Sequence, residues 1–392
     1  MFNRLPAPTL DPILQVMQMY RDDSRATKVD LGVGVYKDDT GITPVMRAVK
    51  GAERILVETQ DTKVYTALTG DPAFHAAMID LLLGDTVPAA RIAAAAATGG
   101  TGAVRLAMEL IATANPDATV FISNPTWPSH NALADKARLK RQSYRYYDAE
   151  TGGVDRDGLW ADLAAAKPGD VVLLHGCCHN PTGTDLTADD WAKMATFLKE
   201  RGVLPFIDIA YQGFGAGLDE DAAGLRHIAA TLDRVVIAAS GAKNFGLYRE
   251  RAGIALVLGP QEERATVSAT LGALNRASIS FPPDHGARII STILGDDALR
   301  AQWEAELSEM RDRVNTLRSA LATALRDECG SDRFGFLADQ RGMFSVLGGS
   351  DAQIKRLRDE FGVYAVGGGR INMAGLSLDK IPQVAKAIAQ VL

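Results

Sequence analysis

The sequence predicts an α/β protein, in which a mostly parallel β-sheet carries helices on both faces and is joined to a smaller α+β domain. Short all-apolar runs alternate with amphipathic segments through the middle of the chain, which is typical of parallel strands buried between helices. The chain has 392 residues, and single hydrophobic cores stop growing below this length, so two domains are expected. After Pro282-Pro283 the pattern changes to one long helix with an apolar stripe, which we expect to lead into the second domain.

The composition argues against several classes of function. The chain is 47% hydrophobic and 23% charged, with 42 basic against 48 acidic residues and a net charge of -6. This balance provides no basic surface for a nucleic acid or an acidic membrane. No uncharged apolar run approaches the ~20 residues of a membrane span, and the N-terminus has no signal-peptide pattern. We therefore expect a cytoplasmic protein, and its three cysteines are too few for a disulfide framework.

Three helices are predicted before the sheet. The first is expected from about Asp11 to Asp22. Thr43-Pro44 resembles a helix cap followed by a first-turn proline and predicts a helix to about Thr59, and Asp71-Pro72 repeats the signal for a helix that ends at Gly84.

Six strands of the sheet are predicted from apolar runs. They are Ile92 to Ala97, Thr119 to Ile122, Val171 to His175, Leu204 to Ile209, Arg234 to Ala239 and Gly253 to Leu258. The helices predicted between them include Ala103 to Ala114, Asp155 to Ala166 and Ala188 to Arg201. Ligands of such sheets bind beyond the carboxyl ends of the strands, so residues that follow each strand are the candidates for function.

The second domain is predicted from the long helix onward. Its apolar stripe consists of Trp303, Leu307, Met310, Val314, Leu317, Leu321 and Leu325. The remaining elements are expected at Phe334 to Leu347, Asp351 to Phe361, Arg370 to Met373 and Leu378 to Val391.

Two strand ends have the features of an anion site and a reactive amine. Gly99-Gly100-Thr101-Gly102 opens a helix, where free N–H groups and the helix dipole favour a phosphate, although a plain tight turn has the same composition. Lys243 follows the strand that ends at Ala239. Burial there would lower the pKa of its amine and suit it to Schiff-base chemistry with an aldehyde, whereas most lysines are solvated surface charges.

The other strand ends supply an aromatic ring, an amide, a carboxylate and a phenol. Trp127 lies between two prolines and offers a flat face to a planar ring, or else packs on the core. Asn180 lies on a turn, where it is either an amide donor or a turn former. Asp208 is inside an apolar strand and therefore needs a cation, such as a protonated ring nitrogen, with Tyr211 close by. Pyridoxal 5'-phosphate combines a planar ring, a phosphate, a basic nitrogen and an aldehyde.

The segment from His175 to His179 contains two histidines and two cysteines and resembles a metal-binding cluster. The four side chains are too closely spaced for a two-pair zinc site, and no second Cys/His cluster completes one. We therefore expect buried thiols and no metal.

With these motifs in place, the chain resembles the class I, fold-type-I aminotransferases of the aspartate/aromatic amino acid subfamily. The motifs that carry the resemblance are Gly99 to Gly102, Ser123 to Pro128, His175 to Gly183 and Lys243 to Arg251. The resemblance covers nearly the whole chain. It implies a seven-stranded sheet, pyridoxal 5'-phosphate as cofactor, and a homodimer with shared active sites. It also implies an N-terminal segment (1–45) that joins the small domain, a large cofactor-binding domain (46–296) and a small C-terminal domain (297–392).

The resemblance implies a role in cofactor binding or catalysis for each residue at the strand ends. Lys243 would form the Schiff base and move a proton between substrate and cofactor. Asp208 would pair with the pyridinium, with His130 behind it, while Asn180 and Tyr211 would bind the ring oxygen. Trp127 would stack on the ring. The expected phosphate ligands are Gly100, Thr101, Ser240, Arg251 and, from the other subunit, Tyr65.

The resemblance also implies the substrate site. Arg370 would bind the α-carboxylate through its planar guanidinium. Gly34 and Phe344 would line the substrate space together with Trp127 and Asn180. Arg276 would reach across the dimer to a side-chain carboxylate.

Two departures from the family pattern bear on cofactor affinity and specificity. Ala242 replaces a serine that often gives the phosphate one more hydrogen bond. Phe281 and Val64 replace polar residues of strict aspartate aminotransferases and resemble bacterial aromatic amino acid aminotransferases. Other positions resemble the aspartate-preferring pattern, namely Val35, Lys37, Thr43 and Thr101.

The expected reaction is therefore ping-pong transfer of the amino group of aromatic amino acids (tyrosine, phenylalanine, tryptophan), aspartate or glutamate to 2-oxoglutarate. Three alternatives remain open at this point: a strict aspartate aminotransferase, a pyridoxal-phosphate-dependent lyase or decarboxylase of the same fold, and a regulatory module that keeps the fold. The regulatory module would need an appended DNA-binding segment, and the catalytic fold uses the full 392 residues.

Overall fold

The structure is a computed structural model that describes residues 2–4 and 12–392. Its helices are α1 Pro12–Asp22, α2 Arg47–Thr59, α3 Pro72–Leu83, α4 Gly99–Ala114, α5 Ser129–Lys136, α6 Arg156–Leu163, α7 Ala188–Arg201, α8 Leu218–Thr231, α9 Arg264–Ser278, α10 His285–Gly295, α11 Asp297–Cys329, α12 Phe336–Asp339, α13 Asp351–Phe361 and α14 Ile381–Val391. Its strands are β1 Val29–Asp30, β2 Ile92–Thr98, β3 Thr119–Asn124, β4 Lys140–Arg145, β5 Val171–His175, β6 Leu204–Ile209, β7 Val235–Ser240, β8 Ala252–Leu258, β9 Phe344–Val346, β10 Val363–Tyr364 and β11 Arg370–Asn372. The predicted helix start at Asp11 lies outside the described residues.

The central sheet has seven strands in the order β2-β8-β7-β6-β5-β3-β4. β8 is antiparallel to β2 and β7, and the other neighbours are parallel. In β7, Val236 and Ala238 pack in one hydrophobic cluster while Val235 and Ile237 pack in another, because successive side chains point to opposite faces of the sheet. Both faces of the sheet are therefore covered. The predicted mostly parallel, seven-stranded α/β fold is confirmed.

The strand that the apolar runs did not predict is β4. It is the edge strand of the sheet, with the sequence Lys-Arg-Gln-Ser-Tyr-Arg, and only Tyr144 is buried. An edge strand with solvent on both sides does not need an apolar run. Its sequence therefore lacks the apolar run that predicts the buried strands.

The predicted start of α2 at Thr43-Pro44 is wrong, because the helix begins at Arg47. The hydroxyl of Thr43 donates to the carbonyl of Tyr36, 2.8 Å away, and caps no helix. The helix start is instead capped by Glu306 of α11, whose carboxylate accepts the backbone N–H groups of residues 47 and 48 at 2.8 and 3.0 Å. A cap supplied by a distant segment leaves no local sequence signal. At α3 the predicted cap is confirmed, since Asp71 accepts the N–H of residue 73.

The C-terminal third is built on α11, a helix of 33 residues whose predicted apolar stripe is buried. The chain after Pro282-Pro283 forms two helices rather than one, because Asp296 ends α10 and caps α11 by accepting the N–H of Leu299. Two small sheets follow, with β1 parallel to β10 and β9 antiparallel to β11. The domain boundaries after residues 45 and 296 stay predictions. No helix in the described part of the chain is both long and apolar enough to cross a membrane.

Trp303 of α11 joins this helix to the turn that follows β7. Its side chain is fully buried, and its indole N–H donates to the carbonyl of Asn244 at 2.7 Å. Its ring stacks on Phe245, with 4.4 Å between centroids and 4° between planes. The turn that carries Lys243 is therefore held by the long helix.

Replacing Trp303 tests this support. We expect Trp303→Phe to lower the free energy of unfolding by about 1–3 kcal/mol, because the Asn244 carbonyl loses its donor inside the core. Trp303→Ala also leaves a cavity and is expected to cost about 3–5 kcal/mol. Urea unfolding followed by circular dichroism measures both, with Trp160→Phe at a half-buried tryptophan as control. Equal stability of Trp303→Phe and the unchanged chain would contradict the expectation.

Candidate active site

A cavity lies at the carboxyl ends of the central strands, where ligands of such sheets bind. Most of the predicted cofactor residues line it. The lining residues are Gly100, Thr101, Trp127, His175, Cys177, Asn180, Asp208, Ala210, Tyr211, Ser240, Lys243 and Arg251. The strand-end rule therefore located the site.

One end of the cavity is built for an anion. α4 begins at Gly99, so its free N–H groups and positive dipole end face this region. Gly99 has φ +67°, and a Cβ there would lie 2.5 Å from Nη2 of Arg251. A Cβ on Gly100 would lie 3.0 Å from Cβ of Ser240. Glycines thus let a guanidinium and a hydroxyl approach the start of the helix, an arrangement that fits a phosphate.

Asp208 of β6 supplies a buried negative charge. Its Oδ2 is 3.0 Å from Nε2 of His130, whose Nδ1 is 2.8 Å from the hydroxyl of Thr126. Burial would raise the pKa of Asp208, but the hydrogen bond with His130 and nearby positive charge outweigh it and hold this pKa below its usual value. Among the described residues, Oδ1 forms no hydrogen bond. An ionised carboxylate on the cavity wall fits a cation such as a protonated ring nitrogen.

Lys243 follows β7 and is a half-buried amine on the cavity wall. Burial lowers its pKa to about 8, the charge of Asp208 opposes this, and the charge of Arg251 adds to it. Its Nζ lies 4.9 Å from the ring centroid of Tyr211. With this pKa, roughly a tenth of the amine is uncharged at pH 7, far more than for an ordinary lysine, and the uncharged form is the one that attacks an aldehyde or removes a proton.

The side chains of Asn180, Trp127 and Tyr211 complete the walls. Asn180 is buried and lines the cavity, and its Oδ1 has no hydrogen-bond partner in the structure. The ring of Trp127 contacts His130 edge-on, with centroids 5.2 Å apart. Burial raises the pKa of Tyr211, so its phenol stays protonated. An anion cradle, a flat ring, an ionised carboxylate and a reactive amine match the parts of pyridoxal 5'-phosphate.

The predicted substrate residues Arg370, Phe344 and Gly34 lie together beside the cavity. The guanidinium carbon of Arg370 is 4.6 Å from the ring centroid of Phe344, and its Nη2 donates to the carbonyl of Gly32 at 2.8 Å. A Cβ on Gly34 would lie 3.1 Å from the Phe344 ring. Tyr211 meets the same ring edge-on at 6.2 Å, which connects this group to the cavity.

Tyr65 and Arg276 are not brought into the cavity of their own chain. Tyr65 is 77% exposed and stacks on Phe281 with centroids 4.6 Å apart. Arg276 lies 5.6 Å from the centroid of Phe281 and donates to the hydroxyl of Ser280 at 2.5 Å. Their assignment to the site of a second subunit stays a prediction.

Sequence reasoning missed His175 as a residue of the cavity. It is the last residue of β5, both ring nitrogens are buried without a hydrogen-bond partner, and it lies 5.1 Å from His130 by ring centroids. Burial and the charge of His130 lower its pKa to about 3, against the effect of Asp208. Its place at the end of a strand is the sequence signal for this role, whereas the neighbouring cysteines resemble a metal-binding cluster.

Comparison with known proteins agrees with this geometry. A family model described as aminotransferase class I and II matches residues 26–388. An aromatic-amino-acid aminotransferase of Paracoccus denitrificans is 54% identical over 392 residues, and an aspartate aminotransferase of Escherichia coli (strain K12) is 44% identical over 396, each covering 100% of both chains. Among solved structures, the aromatic-amino-acid aminotransferase from Burkholderia pseudomallei covalently bound to pyridoxal phosphate has 43% identity and a TM-score of 0.97, covering 100% of this chain and 99% of that one.

The electrostatics of Lys243 can be tested by the rate at which the apoprotein captures pyridoxal, an aldehyde without the phosphate. The neutral amine is the nucleophile, so capture rises with pH and reaches half its maximum near the pKa of about 8. Asp208→Asn removes the charge that raises this pKa and should shift the midpoint down. Arg251→Gln removes a charge that lowers it and should shift the midpoint up. Stopped-flow absorbance measures the rate, with Lys243→Ala as the blank. Shifts of the same sign in the two variants would contradict this assignment.

Proposed function

We propose, from the premise that this chain belongs to the aminotransferase class I and II family, that it transfers the amino group of aromatic amino acids, aspartate or glutamate to 2-oxoglutarate by a ping-pong mechanism. As a family member it is a pyridoxal-phosphate-dependent aminotransferase, and its substrates are amino acids and 2-oxo acids. The cofactor, when bound, supplies an aldehyde for the amino group and a ring that accepts electrons. The observation that carries the proposal is that the Lys243 amine lines one cavity together with the Asp208 carboxylate and the anion cradle.

The cofactor-binding roles follow from where the side chains lie. The start of α4 with Gly100 and Thr101, together with the hydroxyl of Ser240 and the guanidinium of Arg251, would hold the phosphate. Trp127 would cover one face of the ring.

The pKa values of the side chains determine which of them hold or move a proton. Asp208, whose pKa lies below its usual value, stays ionised and would favour a proton on the ring nitrogen, with His130 fixing its orientation. The phenol of Tyr211 and the amide of Asn180 would donate hydrogen bonds to the ring oxygen. Lys243, with a pKa of about 8, would remove the proton from the substrate Cα and release it again later in the reaction.

The substrate site combines two arginines with an apolar rim. Arg370 would bind the α-carboxylate in a bidentate way. Arg276 would bind the side-chain carboxylate of aspartate or glutamate, and the ring of Phe281 beside it offers an apolar contact to an aromatic side chain. Curated relatives are named aromatic-amino-acid, aspartate and tyrosine aminotransferases. Two arginines favour transamination over a lyase reaction, because a dicarboxylate acceptor is bound at both ends.

We also propose that the chain works as a cytoplasmic homodimer with shared active sites. Tyr65 and Arg276 do not line the cavity of their own chain, and Val64 and Tyr65 are 74% and 77% exposed. A second subunit would cover these apolar side chains and receive them at its own site. The three cysteines form no disulfide, which suits a reducing compartment.

Replacing the two arginines separates their roles. We expect Arg276→Gln to lower kcat/KM for aspartate about 10- to 100-fold, through the loss of a charged hydrogen bond, and to leave kcat/KM for phenylalanine nearly unchanged. Arg370→Gln should lower both values, since every amino acid has an α-carboxylate. Steady-state kinetics with 2-oxoglutarate as acceptor measures them. If Arg276→Gln lowered kcat/KM equally for both substrates, Arg276 would not bind the substrate side chain.

A hybrid dimer tests the shared site. Co-expression of Lys243→Ala and Arg276→Gln subunits with different affinity tags yields a dimer in which one site combines an intact Lys243 with the partner's intact Arg276. We expect this hybrid to regain about half of the unchanged dimer's activity toward aspartate, because one of two equivalent sites is complete. If the hybrid were no more active than the two parents, Arg276 would act within its own chain or not at all.

A further inference from the structure

A second cluster of chemically reactive side chains lies behind the candidate active site. The thiols of Cys177 and Cys178 and the carboxylate of Asp221 are buried, and their sulfur and oxygen atoms all lie within 4.8 Å of one another. The cysteines follow β5, whereas Asp221 belongs to the first turn of α8. The sequence alone indicated no metal because the cysteines lacked a second group of ligands, and the fold supplies one from a distant segment.

Two carboxylates near the thiols have no direct cationic partner. Asp221 is buried and Asp185 is half-buried, and neither forms an ion pair with the described residues. Arg318 is the nearest buried cation, but it donates to the carbonyls of Gly342 and Phe344 at 2.7 and 2.6 Å and to the hydroxyl of Ser345. Buried carboxylates are normally paired with a cation or a metal.

Asp221 is held in place by the backbone. Its carboxylate accepts the N–H groups of residues 213, 215 and 216 at 2.8, 2.9 and 2.8 Å, and the N–H of residue 217 also faces it. These bonds fix the carboxylate oxygens beside the two sulfurs.

A cavity leads to the cluster. It has a volume of about 430 Å³ and is lined by Cys177, Asp185 and Asp221 with Glu220, His227 and Arg341. Three carboxylates against one arginine and one histidine favour the entry of a cation. Cys177 lines this cavity and the candidate active site as well.

We propose that Cys177, Cys178 and Asp221 form a binding site for a thiophilic divalent cation such as Zn²⁺ or Cd²⁺. Two sulfurs and one oxygen leave a fourth tetrahedral position open to the cavity for water. Each thiol releases its proton to solvent as its sulfur–metal bond forms. Thiolate ligands select soft metals over Mg²⁺ and Ca²⁺, which prefer sites made of oxygen alone.

Titration of the holoenzyme with Cd²⁺ tests the site, since the sulfur-to-metal charge-transfer absorbance reports thiolate ligation independently of enzyme activity. We expect one Cd²⁺ per chain in the unchanged protein and in Cys329→Ser, the control at the third cysteine, with no displacement by excess Mg²⁺. Cys177→Ser and Cys178→Ser should each weaken Cd²⁺ binding by at least roughly 10- to 100-fold. This is the loss of affinity that results when a residue supporting a metal ligand is removed, and a ligand itself should matter no less. Circular dichroism and the cofactor absorbance establish that the variants are folded.

X-ray absorption of the zinc-loaded wild type gives a result that needs no variant. We expect sulfur neighbours at about 2.3 Å and oxygen neighbours at about 2.0–2.2 Å. The proposal is overturned if the zinc has no sulfur neighbour, if both serine variants at positions 177 and 178 retain full Cd²⁺ binding, or if Cys329→Ser abolishes it.

Discussion

Burial of the Lys243 amine between two opposite charges is the constraint on which the site depends. Burial alone lowers the pKa of this amine, Arg251 lowers it further, and Asp208 limits the change, so that it reaches about 8. The three residues belong to the adjacent strands β6, β7 and β8 or to the segments that join them. Backbone hydrogen bonds of the sheet therefore fix the distances between these charges, and little reorganisation is needed when charge moves during a reaction.

The site is also held by close backbone contacts between the central sheet and the C-terminal third. Gly183 has φ +72°, and a Cβ there would lie 2.5 Å from the carbonyl oxygen of Phe344. Its own carbonyl accepts the N–H of Arg341 at 2.7 Å. Only glycine fits at this point, so the turn that carries Asn180 and the strand that carries Phe344 are fixed against each other. Candidate cofactor and substrate residues are in this way positioned by one contact.

The parts of the fold that the sequence predicts are those with a local physical cause. Apolar runs identify the buried strands, and the rule for strand ends then locates Lys243, Asp208 and their neighbours. The edge strand Lys140–Arg145 has no apolar run because solvent covers it, and the start of α2 depends on Glu306 of a distant helix. The nearness of Asp221 to the cysteines likewise depends on how α8 packs. What sequence reasoning misses is therefore contact between segments that are far apart in the chain.

The turn after β5 shows how one short segment can serve two different clusters. His175 ends the strand and lines the cofactor cavity, whereas Cys178 lies beside Asp221. Cys178 has φ +51°, a left-handed conformation that is uncommon for a residue with a side chain. The carboxylate of Asp185 stabilises it by accepting the N–H groups of Cys178 and His179 at 2.7 and 2.8 Å. A turn breaks the alternation of a strand, and Cys177, which lies between His175 and Cys178, lines both cavities. A substitution at Asp185 would therefore disturb both the cofactor cavity and the thiol cluster.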